Sequence, residues 1–193
     1  MRPAAAPRAI GLLAIALAAL ACLYRPVRAA GVYPMTLVAD AKAVDGVTTV
    51  TSKITITVDR LIEPSRRERL IGGLKKDGYQ GFMNVLWTLP TIGSVATQNA
   101  KVDVQYAWET QTKNGRHLIV AASKPLFFLS NLTGGNAKPR AGYDLTYVEL
   151  LFDDHGGAKG TMSGATRVKP SPEEGIIIQD YAVDPVQLTV TSK

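Results

Sequence analysis

A mainly β chain, in which antiparallel strands form a single sandwich or barrel-like meander with a helical hairpin after the first strand, is what the sequence predicts. Three observations carry this reading. Apolar and polar residues alternate with period two in several β-branched or aromatic runs. Tight-turn signals separate those runs at short, near-regular spacing. The period changes to a helical one only once, between residues 64 and 89.

The first clear strand is KITITV, residues 53–58. Ile54, Ile56 and Val58 alternate with Thr55 and Thr57, and the pattern extends back toward residue 47. Glu63-Pro64-Ser65 then opens a helix, because proline suits the first helical turn. Leu70, Ile71 and Leu74 form its apolar stripe, and Asp77-Gly78 reads as its stop. The central Gly72 and Gly73 weaken it by about 1 kcal/mol each relative to alanine, so packing must hold it. A second stripe follows at Tyr79, Phe82, Met83, Leu86 and Leu89 and ends at Pro90. Two short helices joined at Asp77-Gly78 make the expected hairpin, with Tyr79, Phe82, Met83 and Leu86 facing the sheet.

From Thr91 onward the pattern is strand and turn. Val102, Val104, Tyr106 and Trp108 alternate with Asp103, Gln105, Ala107 and Glu109. The aromatic face is expected to look inward and the acidic face outward. Asn114-Gly115 is a strong hairpin signal, and residues 116–122 form the return strand. Residues 144–152 make the next long strand, with Asp153-Asp154-His155-Gly156-Gly157 as its turn. Residues 160–169, 176–182 and 186–191 complete the set. Residues 127–143 are the one long irregular stretch, the kind of segment that forms lids or binding loops.

With 46% hydrophobic and 20% charged residues over 193 positions, the chain is not of disordered composition. Cys22 is its only cysteine, which excludes a disulfide scaffold. The formal charge of +6 points toward nucleic acid only until it is divided by segment. Residues 1–29 hold four arginines and no acid, and the remaining 164 residues carry 18 basic and 16 acidic side chains. The basic excess therefore belongs to the leader.

That leader has Arg2 and Arg8, an uncharged apolar run over residues 9–23, and a small-residue exit at Val27-Arg28-Ala29. The run is short against the roughly 20 residues that span a bilayer. The pattern is that of a secretory signal peptide cleaved after Ala29, leaving residues 30–193 as one β-rich domain, periplasmic or secreted. An uncleaved anchor is the alternative. Lipidation of Cys22 is a further one and the only route to a membrane partner, although Leu20 is bulky for that signal.

Several segments extend through the chain as a recognisable set: ITITVDR at 54–60, RRERLIGGLKKDG at 66–78, NGRHLIVAASKPL at 114–126, YDLTYVELLFDDHGGAKGTMSGAT at 143–166 and DYAVDPVQLT at 180–189. On these residues the sequence resembles a family of uncharacterised exported bacterial proteins. Two positions depart from that family. Leu61 stands where an aromatic is frequent, and Asp153-Asp154-His155-Gly156 replaces an acid-lysine-acid-glycine pattern. The resemblance implies an exported single domain and transfers no active site.

The motifs for chemistry are sparse. His155 sits in a predicted turn, where Asp and Gly supply the dihedrals. His117 lies on the expected outer face of its strand. Neither histidine has the companions that a zinc site requires, and no metal or cofactor is expected. Ser163 lacks the strand-to-helix context of a nucleophile elbow. The run Arg66-Arg67-Glu68-Arg69 reads as a solvated helix face. Glu149 is the most informative acid: in LTYVELLF both faces are apolar, so its carboxylate is a candidate for partial desolvation or an ion pair. Tyr106, Trp108, Phe127, Phe128 and Glu149 are accordingly the candidate ligand-binding residues, with no catalytic residue assigned.

The reading that follows is a non-catalytic exported binding protein for an apolar small molecule. The alternatives are an accessory subunit of an envelope complex, with an envelope protein as partner, and an enzyme using Glu149. A cavity lined by Tyr106, Trp108 and Phe128 would favour the first. An exposed patch at 127–129 would favour the second. A polar cleft joining Glu149 to another titratable group would favour the third.

Overall fold

A computed structural model of the chain describes residues 31–45, 48–113, 115–128 and 140–192. Expectations for the leader, for Cys22, for Asn114 and for Leu129 lie outside those residues. The strands, in chain order, are β1 (Met35–Asp45), β2 (Thr48–Val58), β3 (Gly93–Ala96), β4 (Lys101–Val104) and β5 (Tyr106–Thr112). They continue with β6 (Gly115–Ala122), β7 (Leu145–Phe152), β8 (Ala158–Ser171), β9 (Gly175–Tyr181) and β10 (Val186–Ser192). The helix α1 (Pro64–Leu86) lies between β2 and β3.

All ten strands belong to one antiparallel sheet, ordered β4-β3-β2-β1-β10-β8-β7-β6-β5, with β9 paired to the far half of β8. The two ends of that order, β4 and β5, are consecutive in the chain and separated only by Gln105. One bent strand therefore starts beside β3 and finishes beside β6, which brings the sheet round into a nearly closed barrel. Gln105 holds the corner twice. Its N–H donates to the Ala121 carbonyl at 3.2 Å, and its Oε1 accepts the Ser123 N–H at 2.9 Å. Near-closure leaves few unpaired strand edges.

The sequence reading begins one strand late. β1 pairs with β2 along its whole length, from Met35↔Val58 to Asp45↔Thr48. Its buried residues are Leu37, Ala39, Ala41 and Ala43. Three alanines in four inward positions give little hydrophobic contrast, and alanine is a poor strand former, so the alternation is faint in sequence.

The helical hairpin after the first strand is corrected. A single helix follows the second strand. Asp77-Gly78 bends it instead of ending it: Gly78 has φ 64° and ψ −155°, non-helical values that glycine reaches without a Cβ penalty. Across the bend the backbones of Gly73 and Gly81 meet so closely that a Cβ on Gly81 would lie 2.4 Å from the Gly73 carbonyl oxygen. Gly73, one of the two glycines that weaken the helix, thus lets its arms approach together with Gly81, while Gly72 faces open space. Leu70, Leu74, Tyr79, Phe82, Met83 and Leu86 are buried, as the two stripes predict. Each such aliphatic side chain contributes about 1.5–3 kcal/mol by leaving water.

Cross-strand register fixes the two faces of the barrel. One row runs Glu109↔Leu118↔Leu150↔Gly160↔Leu188↔Ala41↔Ser52, and its neighbours Ala39, Ile54, Val120, Val148 and Met162 are buried. This is the core side. The adjacent row, Trp108↔Ile119↔Glu149↔Thr161↔Gln187↔Lys42, lies on the outer side and ends in exposed polar residues. Over β5 to β8 that outer side is not bare. Helix α1 and the turn between β8 and β9 reach over it, which is why both faces of β7 are apolar.

Candidate functional site

The best-patterned strand keeps the expected facing at Val102 and Val104 and reverses it from Tyr106 onward. The bend at Gln105 shifts its alternation, so Val102 and Val104 point to the core while Tyr106 and Trp108 point outward. Ala107 and Glu109 take the core side in their place. Strict alternation through residues 102–109 hid this, because a corner in one strand slips every later side chain to the other face.

Glu109, expected in water, is the acid of a buried polar cluster. Its side chain is 3% exposed and pairs with Arg116. The Tyr33 hydroxyl donates to the same oxygen, Oε2, at 2.8 Å, and Oε1 accepts the Gly31 N–H at 2.9 Å. Burial, then the Glu109 carboxylate, pushes the Tyr33 phenol up. Arg116 stacks over the Phe152 ring at 3.8 Å. These groups tie residues 31–35 to one end of the barrel.

A second cluster gathers on the outer side around His117. The imidazole is 3% exposed. Its Nδ1 lies 3.0 Å from Glu174 Oε1, and its Nε2 lies 3.3 Å from Glu149 Oε1 without the alignment of a hydrogen bond. Burial lowers the imidazole pKa, but the two carboxylates together outweigh it and the net direction is upward. His117 therefore favours the charged form and links β6 to β7 and to the β8–β9 turn. Arg67, from the first turns of α1, lies 4.2 Å over the Trp108 ring and donates Nη2 to the Glu174 carbonyl at 3.2 Å. The run at residues 66–69 is thus not uniformly solvated.

Tyr106 and Tyr147 stand beside these charges, both fully buried, and neither hydroxyl has a hydrogen-bond partner. The nearby Ser163 Oγ is likewise buried and unpaired. Burial pushes both phenols up. The Arg67 guanidinium pulls Tyr106 back, while Glu149 and Glu174 raise Tyr147 further.

Glu149 also opens outward. Its side chain, 35% exposed, forms part of the wall of a surface groove of about 390 Å³ shared with Leu151, Lys159, Thr161, Gln187 and Thr189. Leu151 is half exposed there. The groove runs over β7, β8 and β10.

The five sequence candidates therefore separate. Trp108, Tyr106 and Glu149 share the outer side of the barrel, with Arg67 and His117 between and around them. Phe127 and Phe128 lie elsewhere, against Leu126, Met162, Val183 and Val186, in a pocket of about 10 Å³. Phe128 is 3% exposed. His117, Arg67, Tyr147 and Glu174 are the residues sequence reasoning passed over. The apolar double face of LTYVELLF was the available signal, since a strand buried on both sides makes its polar residues and their neighbours exceptional. His155 sits in the β7–β8 turn, where Asp153 Oδ1 accepts the His155 and Gly157 N–H groups at 2.9 and 2.8 Å.

Among the described residues no group of three or more His, Cys, Asp or Glu is arranged to hold a metal ion, and no helix is long and apolar enough to cross a membrane. Comparison with known proteins finds no matching family model, no matching curated protein and no matching solved structure.

Proposed function

We propose that this chain is an exported, non-catalytic binding protein whose ligand seat is the groove fronted by Glu149. Export rests on the charged start, short apolar run and small-residue exit of residues 1–29. The single observation that supports the binding seat is the groove itself: about 390 Å³, with one carboxylate, one ammonium, hydroxyl and amide groups, and the half-exposed Leu151. That lining departs from the wholly apolar ligand that the sequence pattern favours. Glu149 and Lys159 present opposite charges on neighbouring strands, with the half-exposed Leu151 in the same wall. A small zwitterion with an apolar body, of amino-acid or dipeptide size, complements them. Charge complementarity sets which ligands are accepted, and the exposed leucine surface supplies affinity.

One observation favours the enzyme reading: Glu149 joins a second titratable group, His117, at the wall of a groove. Against it, His117 is buried and faces a carboxylate at each ring nitrogen, so it offers no free lone pair to a substrate. Binding therefore remains the better account.

Calorimetric titration of the full chain with leucine, leucyl-leucine, hexylamine and hexanoate tests this. The zwitterions should bind at one per chain, more tightly than either singly charged analogue. Glu149→Gln should weaken leucine at least tenfold, as expected for a charge-assisted hydrogen bond of about 1.5–3 kcal/mol. Hexylamine binding as tightly as leucine, or no saturable heat from any of the four, would overturn the reading. Conversion of leucyl-leucine to a product would put the enzyme ahead.

A further inference from the structure

The outer-side cluster presents hydrogen-bond donors almost exclusively on one side of the β8–β9 turn. Arg67 is a cationic donor, His117 points Nδ1 at the turn, and the hydroxyls of Tyr106 and Tyr147 are neutral groups, fully buried and unpaired. The Nε of Arg67 is also buried without a partner. Buried donors left unmet are costly unless something supplies oxygen lone pairs, because each keeps its desolvation penalty. One residue of the turn meets the cluster only in part, and leaves both phenols and Arg67 Nε unpaired. Glu174 places its carboxylate 3.0 Å from His117 Nδ1 and its backbone carbonyl 3.2 Å from Arg67 Nη2.

The turn that delivers Glu174 extends past the strands that pair within the barrel. β8 pairs with β7 through Thr166, shifts register between Arg167 and Val168, and beyond that point pairs with β9 alone. Residues 171–175 are therefore the tip of a two-stranded extension whose base is packed on the core through Val168 and Ile176 and whose tip is tied by Glu174, with the Glu174 side chain itself 30% exposed. Two-stranded ribbons contribute little stability of their own, so contacts at the tip decide whether it stays docked.

We propose that Arg67, His117, Tyr106 and Tyr147 form a carboxylate-binding seat that Glu174 occupies as a built-in ligand, and that a small free carboxylate takes the seat when the β8–β9 tip lifts. The seat is distinct from the groove and lies on the other side of the His117–Glu149 pair. Its cations and phenols match the two oxygens of a carboxylate, and Arg67, stacked on Trp108, is already oriented. Competition with Glu174 makes the site silent at low ligand concentration, since a seat filled from within reduces apparent affinity by the fraction of open molecules. The groups facing the seat are Tyr106 from β5, His117 from β6, Tyr147 and Glu149 from β7, Arg67 from α1 and Glu174 from the tip. With Glu174 replaced, Glu149 is the remaining acid facing Arg67 and His117.

Chemical rescue tests this. Glu174→Ala should lower the melting temperature, and sodium acetate should restore it saturably, by about 2–4 °C at full occupancy, relative to sodium chloride of equal ionic strength. Wild type should respond much less, because its own carboxylate competes. The double variant Glu174→Ala, His117→Gln should not respond. If Glu174→Ala fails to fold, Glu174→Ser still vacates the seat and keeps a polar side chain in the turn, and Trp108 fluorescence during acetate titration reads the same event beneath Arg67. Acetate acting no better than chloride, or equally in wild type and in the double variant, would overturn the seat. Neither outcome bears on leucine binding in the groove, which depends on Glu149 and is measured separately.

Discussion

His117 is held by charges on two other elements, so its protonation is tied to folding. Its folded pKa lies above the ordinary 6.5 because Glu149 and Glu174 outweigh burial. A raised pKa means the folded state binds the proton more tightly than the unfolded chain. The stabilisation is then complete below about pH 6.5 and is lost as pH rises through the folded value. Melting temperature should therefore fall from pH 6 toward pH 8 more steeply in the wild type than in His117→Gln, read as the difference between the two curves. Parallel curves would show that the imidazole titrates as it does in the unfolded chain.

Helix α1 contains a sharper test at the scale of an element. Its three central glycines at 72, 73 and 81 look alike in sequence and differ in surroundings. A Cβ on Gly72 would meet nothing within 4 Å, whereas one on Gly81 would meet the Gly73 backbone at 2.4 Å. Gly72→Ala should therefore stabilise by about 0.5–1 kcal/mol through helix propensity alone. Gly81→Ala should destabilise despite the same propensity gain, by about 1–3 kcal/mol, because rigid backbone cannot make room. Urea unfolding of the two variants decides it, and equal gains in both would mean that the arms of the helix do not meet. The helix was legible in its stripes, Leu70 with Leu74 and Tyr79 through Leu86. Its course at Gly78 was not, since Asp-Gly serves a helix end and a sharp bend equally well.

Closure of the sheet sets the behaviour of the whole molecule. Because β4 and β5 form one bent strand, the first and last positions of the sheet cannot separate without disturbing the same backbone at Gln105. Far-UV circular dichroism and Trp fluorescence should accordingly give coincident unfolding curves, as cooperative single units do. Trp87 sits at the end of α1 and Trp108 on β5, so an earlier fluorescence transition would show the helix leaving a barrel that stays intact.

Local chemistry in the sequence determined the period-two strands, the single helical stretch, the positions of most turns and hence the mainly antiparallel β class. It also marked Glu149, because a carboxylate in a doubly apolar strand stands out without knowledge of its neighbours. Tertiary structure alone decided the rest. The bend at Gln105 sends Tyr106 and Trp108 to the outer side and Glu109 to the core, and the β8–β9 tip carries Glu174 from 57 positions away to His117. Strand periodicity records which residues share a face, but which face meets the core depends on how the sheet curves. Contacts between distant segments depend on register and closure, which no local pattern encodes.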